Sequence, residues 1–153
     1  MKRIITCSDG TWNKPNEVVA GVISPTNVWK LYDLIAPIDM HGVAQIPLYD
    51  KGVGTEWHDH LTGGLFGMGI NQNIIQAYQF IADNYEQGDE IYLFGFSRGA
   101  YTARSVAGFI RNSGLLRKEY IDRLEEAFLL YIEGQNKTNT TSINTKSLKN
   151  KAI

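Results

Sequence analysis

"IYLFGFSRGAYTARSVAGFI", Ile91 to Ile110, decides the fold, because an apolar strand, a tight bend and a helix follow one another in it without a break. "IYLFGF" is apolar on both faces, the pattern of a central strand covered by helices on both sides. Beyond Gly99, "AYTARSVAGFIRNSG" is helical in character and ends at Gly114. The bend between them, Gly95-Phe96-Ser97-Arg98-Gly99, satisfies G-x-S-x-G, a short pattern whose required context is a strand before it and a helix after it. The spacing has a steric reason: the central residue adopts a strained backbone conformation, and the positions two before and two after must be nearly free of side chain for strand and helix to pass. On this reading Ser97 is a nucleophile on a strand-to-helix elbow at the carboxyl end of a sheet. Gly95 and Gly99 are its glycines, and the Arg98 amide with the positive end of the helix is an oxyanion donor. The competing reading is a small residue at an ordinary helix start.

Working outward, "NQNIIQAYQFIADNY" repeats apolar residues at Ile74, Ile75, Tyr78 and Ile81 and predicts an amphipathic helix capped by Asn71 or Asn73. The Gly-rich stretch before it, Lys51 to Gly69, has no periodicity and predicts a long loop. "VAQIPLYD" is a candidate strand whose Pro47 suits an edge. "VWKLYDLI" is a helix capped by Thr26 or Asn27 and closed by Pro37, and "RIITC" is a buried strand running into the loop "SDGTWN". Downstream, "RKEYIDRLEEAFLLYIEG" predicts one more amphipathic helix ending near Gly134. Strand and helix alternate, which implies an α/β fold with a mainly parallel sheet of about three strands. The chain divides at Gly134. Residues 135–153 are polar, rich in Asn, Thr and Lys and without aromatics, and are expected to be disordered.

With 153 residues there is room for one core, but three-layer α/β hydrolases usually need more. Fifteen Lys and Arg against sixteen Asp and Glu give no electrostatic reason to expect a nucleic acid or an anionic membrane as partner. Cys7 is the one cysteine, so an internal disulfide is excluded. The amino end is too short in apolar residues for a signal peptide or a membrane span. A cytoplasmic location is the default, with signal-independent secretion left open, and the sequons at Asn136 and Asn139 then have no compartment in which to operate.

The loop "CSDGTWN" is the natural source of a second oxyanion donor: Gly10 lets backbone approach closely, and Thr11 offers an amide and a hydroxyl. Asp9 could fix that loop by accepting backbone hydrogen bonds. The same residues open a phosphatase reading, since "IITCSDGT" resembles the nucleophile loop of haloacid-dehalogenase-type enzymes. Cys7, however, stands where their nucleophilic aspartate belongs. His58-Asp59-His60 could offer metal ligands but reads better as solvated side chains. Gly52-Val53-Gly54 fails the dinucleotide fingerprint because Trp57 occupies the place of its last glycine. No cofactor and no metal are expected.

"CSDGTWN", "YDKGVGT" (Tyr49 to Thr55), "GGLFGMGINQNIIQAYQFI" and "DEIYLFGFSRGAYTARSVAGFI", in that order, resemble one family: the uncharacterised α/β-hydrolase domain shared with the phospholipase effectors of bacterial type VI secretion. The resemblance covers Met1 to about Tyr131. It implies an α/β-hydrolase-like three-layer sandwich and a serine hydrolase acting on a lipid or other ester, with Ser97 at the nucleophile position. The chain departs from the pattern in one respect. A hydrolase of this type places Asp or Glu and then His after the serine, yet His41, His58 and His60 all precede Ser97 and Asp122 is the one later aspartate. The sandwich would also be incomplete, because the strand before Ser97 has no later strand to pair with, and an open apolar edge invites association. The expectation is an amino-terminal piece of a larger hydrolase or a truncated gene product, lacking its Asp and His and showing at most trace esterase activity. A second polypeptide could complete the sheet. The alternative is a non-catalytic, partner-binding remnant.

Overall fold

The strand β1 (Arg3–Ser8) is the axis on which everything else is hung. In this structure, a computed structural model that describes residues 1–10, 18–19, 22–52 and 65–137, it runs parallel to β4 (Gln45–Asp50) on one side and to β5 (Glu90–Gly95) on the other. All six residues of β1 are in register with both neighbours, Arg3 with Gln45 and Glu90, Ser8 with Asp50 and Gly95. The result is an open three-stranded parallel sheet, order β4-β1-β5, in an α/β arrangement. Pro47 sits in β4, an edge strand, where its missing N–H costs no ladder bond on the solvent side.

The two faces of the sheet are covered unequally. On one, Ile5 and Cys7 pack with Val28 beneath α1 (Asn27–Asp33), whose amino end is capped by Thr26 accepting from the Trp29 amide. On the other, Ile4 joins the main core with α2 (Leu65–Asn84), α3 (Arg98–Ser113) and α4 (Leu124–Lys137). Tyr78, fully buried on α2, stacks on Phe109 of α3 at 4.1 Å between centroids. Its hydroxyl donates to the Gly114 carbonyl and accepts from the Leu116 amide, satisfying the chain just past α3. Gly114 ends α3 with φ of 73°, a conformation a glycine adopts without strain. At the amino end of the sheet, Lys2 pairs with Glu86 and Asp89, and Arg3 with Asp39 and Glu90.

Several expectations need correcting. β5 is not covered on both faces: α1 lies over β1 and β4 and leaves Tyr92 and Phe94 of β5 39% and 38% exposed. α2 begins at Leu65, so the expected caps Asn71 and Asn73 lie inside it, and Gly67 and Gly69 are helical at a cost of about 1 kcal/mol each that the buried Ile74, Ala77, Tyr78 and Ile81 offset. The last predicted helix is two elements, a 3-10 turn (Lys118–Arg123) and then α4, which continues past Gly134 to Lys137. A small antiparallel pair, β2 (Val18–Val19) with β3 (Val22–Ile23), stands where no strand was predicted. Among the described residues no helix is long and apolar enough to cross a membrane.

Candidate active site

β5 ends at Gly95, α3 begins at Arg98, and Ser97 occupies the corner between them with φ of 54° and ψ of −121°. It is the one non-glycine residue with positive φ among the described residues, in a region that costs about 1–3 kcal/mol and persists only where its surroundings enforce it. An ordinary N-cap serine is extended and bonds an amide of the first turn; Ser97 makes no such side-chain bond, and it is exposed.

The enforcement comes from the two glycines. A Cβ on Gly95 would stand 2.2 Å from the Gly99 carbonyl oxygen, and a Cβ on Gly99 would stand 2.0 Å from that of Ser8. Real Cβ contacts are not that short, so the helix can begin against β1 only when both positions lack side chains. The Phe96 amide donates to the Ser8 carbonyl at 3.1 Å, which ties the elbow to the end of the central strand.

The loop that leaves β1 therefore lies against the elbow. Asp9 is 1% exposed, and its carboxylate accepts from the Gly10 amide (2.9 Å), from the Tyr49 hydroxyl (2.9 Å) and from the Thr26 hydroxyl. Three donors satisfy a charge that burial would otherwise penalise. They also fasten the loop to α1 through its cap and to β4 through Tyr49, whose ring packs edge-on against Trp29 at 4.8 Å. Burial, then the hydrogen bond to Asp9 and its charge, push the Tyr49 hydroxyl well above the ordinary tyrosine range. Asp50, beside it at the end of β4, is likewise raised, by burial first and by the charge of Asp9, against the Gly52 amide that bonds its Oδ1. Its Oδ2 is buried with no hydrogen-bond partner among the described residues. Gly52, with φ of 75°, presses on the same loop: a Cβ there would stand 2.8 Å from the carbonyl oxygens of Asp9 and Gly10.

The expected site residues are thus distributed as follows. Ser97, Gly95, Gly99, Arg98, Asp9 and Gly10 meet at the carboxyl end of the sheet. The Gly10 amide is engaged by Asp9 Oδ1, so it contacts an oxyanion only if that bond is released. Thr11 lies outside the described residues, as do His58 and His60. His41 is exposed in the turn before β4, at the amino end of the sheet, a strand length of about 20 Å from the elbow. Asp122 is exposed in the 3-10 turn beyond the far end of α3. Cys7, which stands where the phosphatase reading would need an aspartate, is fully buried under α1, and that burial pushes its thiol up to about 11. Thr26, Tyr49 and Asp50 were not among the expected site residues, and Gly52 was weighed only for a nucleotide fingerprint that fails, although Tyr49, Asp50 and Gly52 all stand in the "YDKGVGT" block and Thr26 was a cap candidate. An open cleft of about 630 Å³ runs outside β4, walled by Trp29, Tyr49, Asp50 and Phe80.

Compared with known proteins, residues 2–152 match the family model described as the type VI secretion, Tle1-like phospholipase effector catalytic domain. The chain is also similar to the uncharacterised protein YEL023C of Saccharomyces cerevisiae, 34% identical over 145 residues, covering 85% of this chain and 20% of that protein. The chain therefore spans about a fifth of that relative's length. No solved structure matches.

Proposed function

The chain belongs to the Tle1-like phospholipase effector catalytic-domain family, a family of hydrolases, and from that premise we propose that it is a serine-hydrolase domain cleaving a lipid ester with Ser97 as nucleophile. The observation that carries this reading is the backbone of Ser97, held at positive φ between two glycines that nothing larger could replace. In the proposed reaction Ser97 Oγ attacks the ester carbonyl carbon and its proton passes to a base. The carbonyl oxygen takes the negative charge against the Arg98 amide, at the positive end of α3, and the amide of Thr11. Collapse expels the alcohol and leaves an acyl-serine, which water hydrolyses. Asp9, bound by Gly10, Thr26 and Tyr49, sets the position of the β1 loop in that scheme.

The base is the missing part. The 153 residues hold no histidine after Ser97, so the proposal assigns the base and its carboxylate to another segment or a second polypeptide, and an α/β-hydrolase-type sandwich would be completed with it. The second reading is a non-catalytic domain that binds a partner. A fluorophosphonate probe separates the two, because an oxyanion site without its base retains part of its reactivity. We expect slow labelling that maps to Ser97, absent from Ser97→Ala and from denatured protein, with at most trace turnover of a short-chain ester. Absence of labelling at Ser97 would refute the hydrolase reading, whereas brisk ester turnover lost in Ser97→Ala would place the base within this chain, at His58 or His60.

A further inference from the structure

Near-neutral net charge hides an uneven distribution. From Phe96 to Lys118 the chain carries five cations (Arg98, Arg104, Arg111, Arg117 and Lys118) and no acid. The acids that pair with Lys2 and Arg3 are gathered instead at the amino end of the sheet. On α3, Tyr101, Arg104 and Arg111 recur at helical spacing and are all exposed, while Thr102, Ala103, Val106 and Phe109 are buried on the opposite side. The stripe begins one turn from Ser97 and runs about 15 Å from Tyr101 to Arg111. Neither Arg104 nor Arg111 is in an ion pair among the described residues. Two aromatic rings accompany the serine: Phe96, 53% exposed, precedes it, and Tyr101, 51% exposed, follows it by one turn.

We propose that this stripe of α3, together with Phe96, is a docking surface for an anionic phospholipid bilayer that brings headgroup esters to the elbow. Cations near a charged leaflet are attracted to it, and aromatic rings settle at the level of the headgroups. Here the rings bracket the serine in the chain, Phe96 directly before it and Tyr101 one turn into α3, at the head of the arginine stripe. That juxtaposition is what selects a bilayer over other polyanions, since nothing in binding a nucleic acid would call for rings around a nucleophile. The proposal rests on the lipid-ester reading for that choice, but docking itself needs no catalysis.

The test is sedimentation of the full chain with vesicles of phosphatidylglycerol mixed into phosphatidylcholine, against vesicles of phosphatidylcholine alone. Binding to the mixed vesicles only is expected, weakening as added salt shortens the screening length from about 10 Å near 0.1 M. Arg104→Gln with Arg111→Gln should weaken partition about thirtyfold, roughly fivefold for each arginine near the surface. The lysine pair at the same positions should retain binding and shows that loss of charge, not misfolding, is responsible. Phe96→Ser should weaken it further, and Ser97→Ala should bind like the parent. Equal binding to both vesicle types, or no effect of the glutamine pair, overturns the proposal. So does capture by a DNA duplex as strong as by mixed vesicles and lost in the same pair, which would mark a general polyanion surface. Probe labelling of Ser97 without vesicle binding would sink the docking surface alone, and vesicle binding without labelling would sink the catalytic reading alone.

Discussion

Gly99→Ala adds one methyl group, yet it should destabilise the protein by about 3 kcal/mol. The added carbon would stand 2.0 Å from the Ser8 carbonyl oxygen, 2.5 Å from its carbon and 2.8 Å from the Asp9 oxygen, all backbone atoms at the end of the central strand. To restore even 3.0 Å, α3 must withdraw about 1 Å from β1. A gap of that size forfeits between about a quarter and a half of the dispersion energy across the contact, at a face where Val106 of α3 and Ile4 of β1 belong to one core. Overpacking costs typically about 1–3 kcal/mol, and the upper end applies because no flexible side chain can give way. Against a total stability of about 5–15 kcal/mol this is a large fraction. The assay is urea unfolding followed by circular dichroism, where a slope of about 2 kcal/mol per molar converts the loss to a midpoint about 1.5 M lower. Gly134→Ala, in α4 with nothing within 4 Å of its added carbon, is the internal control and should gain about 0.5–1 kcal/mol. If Gly99→Ala unfolds within about 0.5 kcal/mol of the parent, the close passage of α3 over β1 is wrong and the elbow argument falls with it.

Three further outcomes follow from carboxylates at the two ends of the sheet. Tyr49→Phe keeps the ring against Trp29 but takes one of three donors from Asp9, and should lower stability by about 2 kcal/mol in a thermal or urea melt; an unchanged midpoint would mean that the hydroxyl does not serve the carboxylate. Asp50, raised above its ordinary 3.8 by burial and by Asp9, contributes stability that is complete below that value and is lost as pH rises through its folded value. Asp50→Asn should therefore raise the urea midpoint at neutral pH and converge with the parent in acid. Asp89 runs the other way: although burial opposes it, Lys2 and the amides of Glu86 and Lys2 hold it at about 2, so its contribution stands above 3.8 and disappears as pH falls through about 2. An Asp50→Asn midpoint that stays below the parent's at neutral pH would contradict the first of these signs.

What could be read from the sequence was whatever is written locally. Gly95 and Gly99 bracket Ser97 within five residues, and the strain of the corner is a property of those residues and the two elements they join, so the elbow was legible. The edge position of β4 was legible in Pro47 alone. The start of α2 was not, because Gly67 and Gly69 resemble a loop until the burial of the helix beyond them is weighed. The break between the 3-10 turn and α4 was hidden inside one amphipathic pattern. Least accessible was the Asp9 network, whose hydroxyl donors lie 17 and 40 residues away in sequence and meet it only through strand order. Nor does an apolar run such as β5 disclose whether neighbours exist to cover Tyr92 and Phe94. Charge read as a sum was equally blind to the acid-free run along α3.

The carbonyl oxygen of Asp9 is a close neighbour of both Gly52 and Gly99, so three segments distant in the chain share a single keystone built of main-chain atoms. Such a joint leaves evolution nothing to vary at 52 or 99, and Gly95 is held in the same way against Gly99. Variation at the corner must then be sought in its outward-facing positions, Phe96 above all, and attempts to redesign the domain should leave the frame alone and diversify there first.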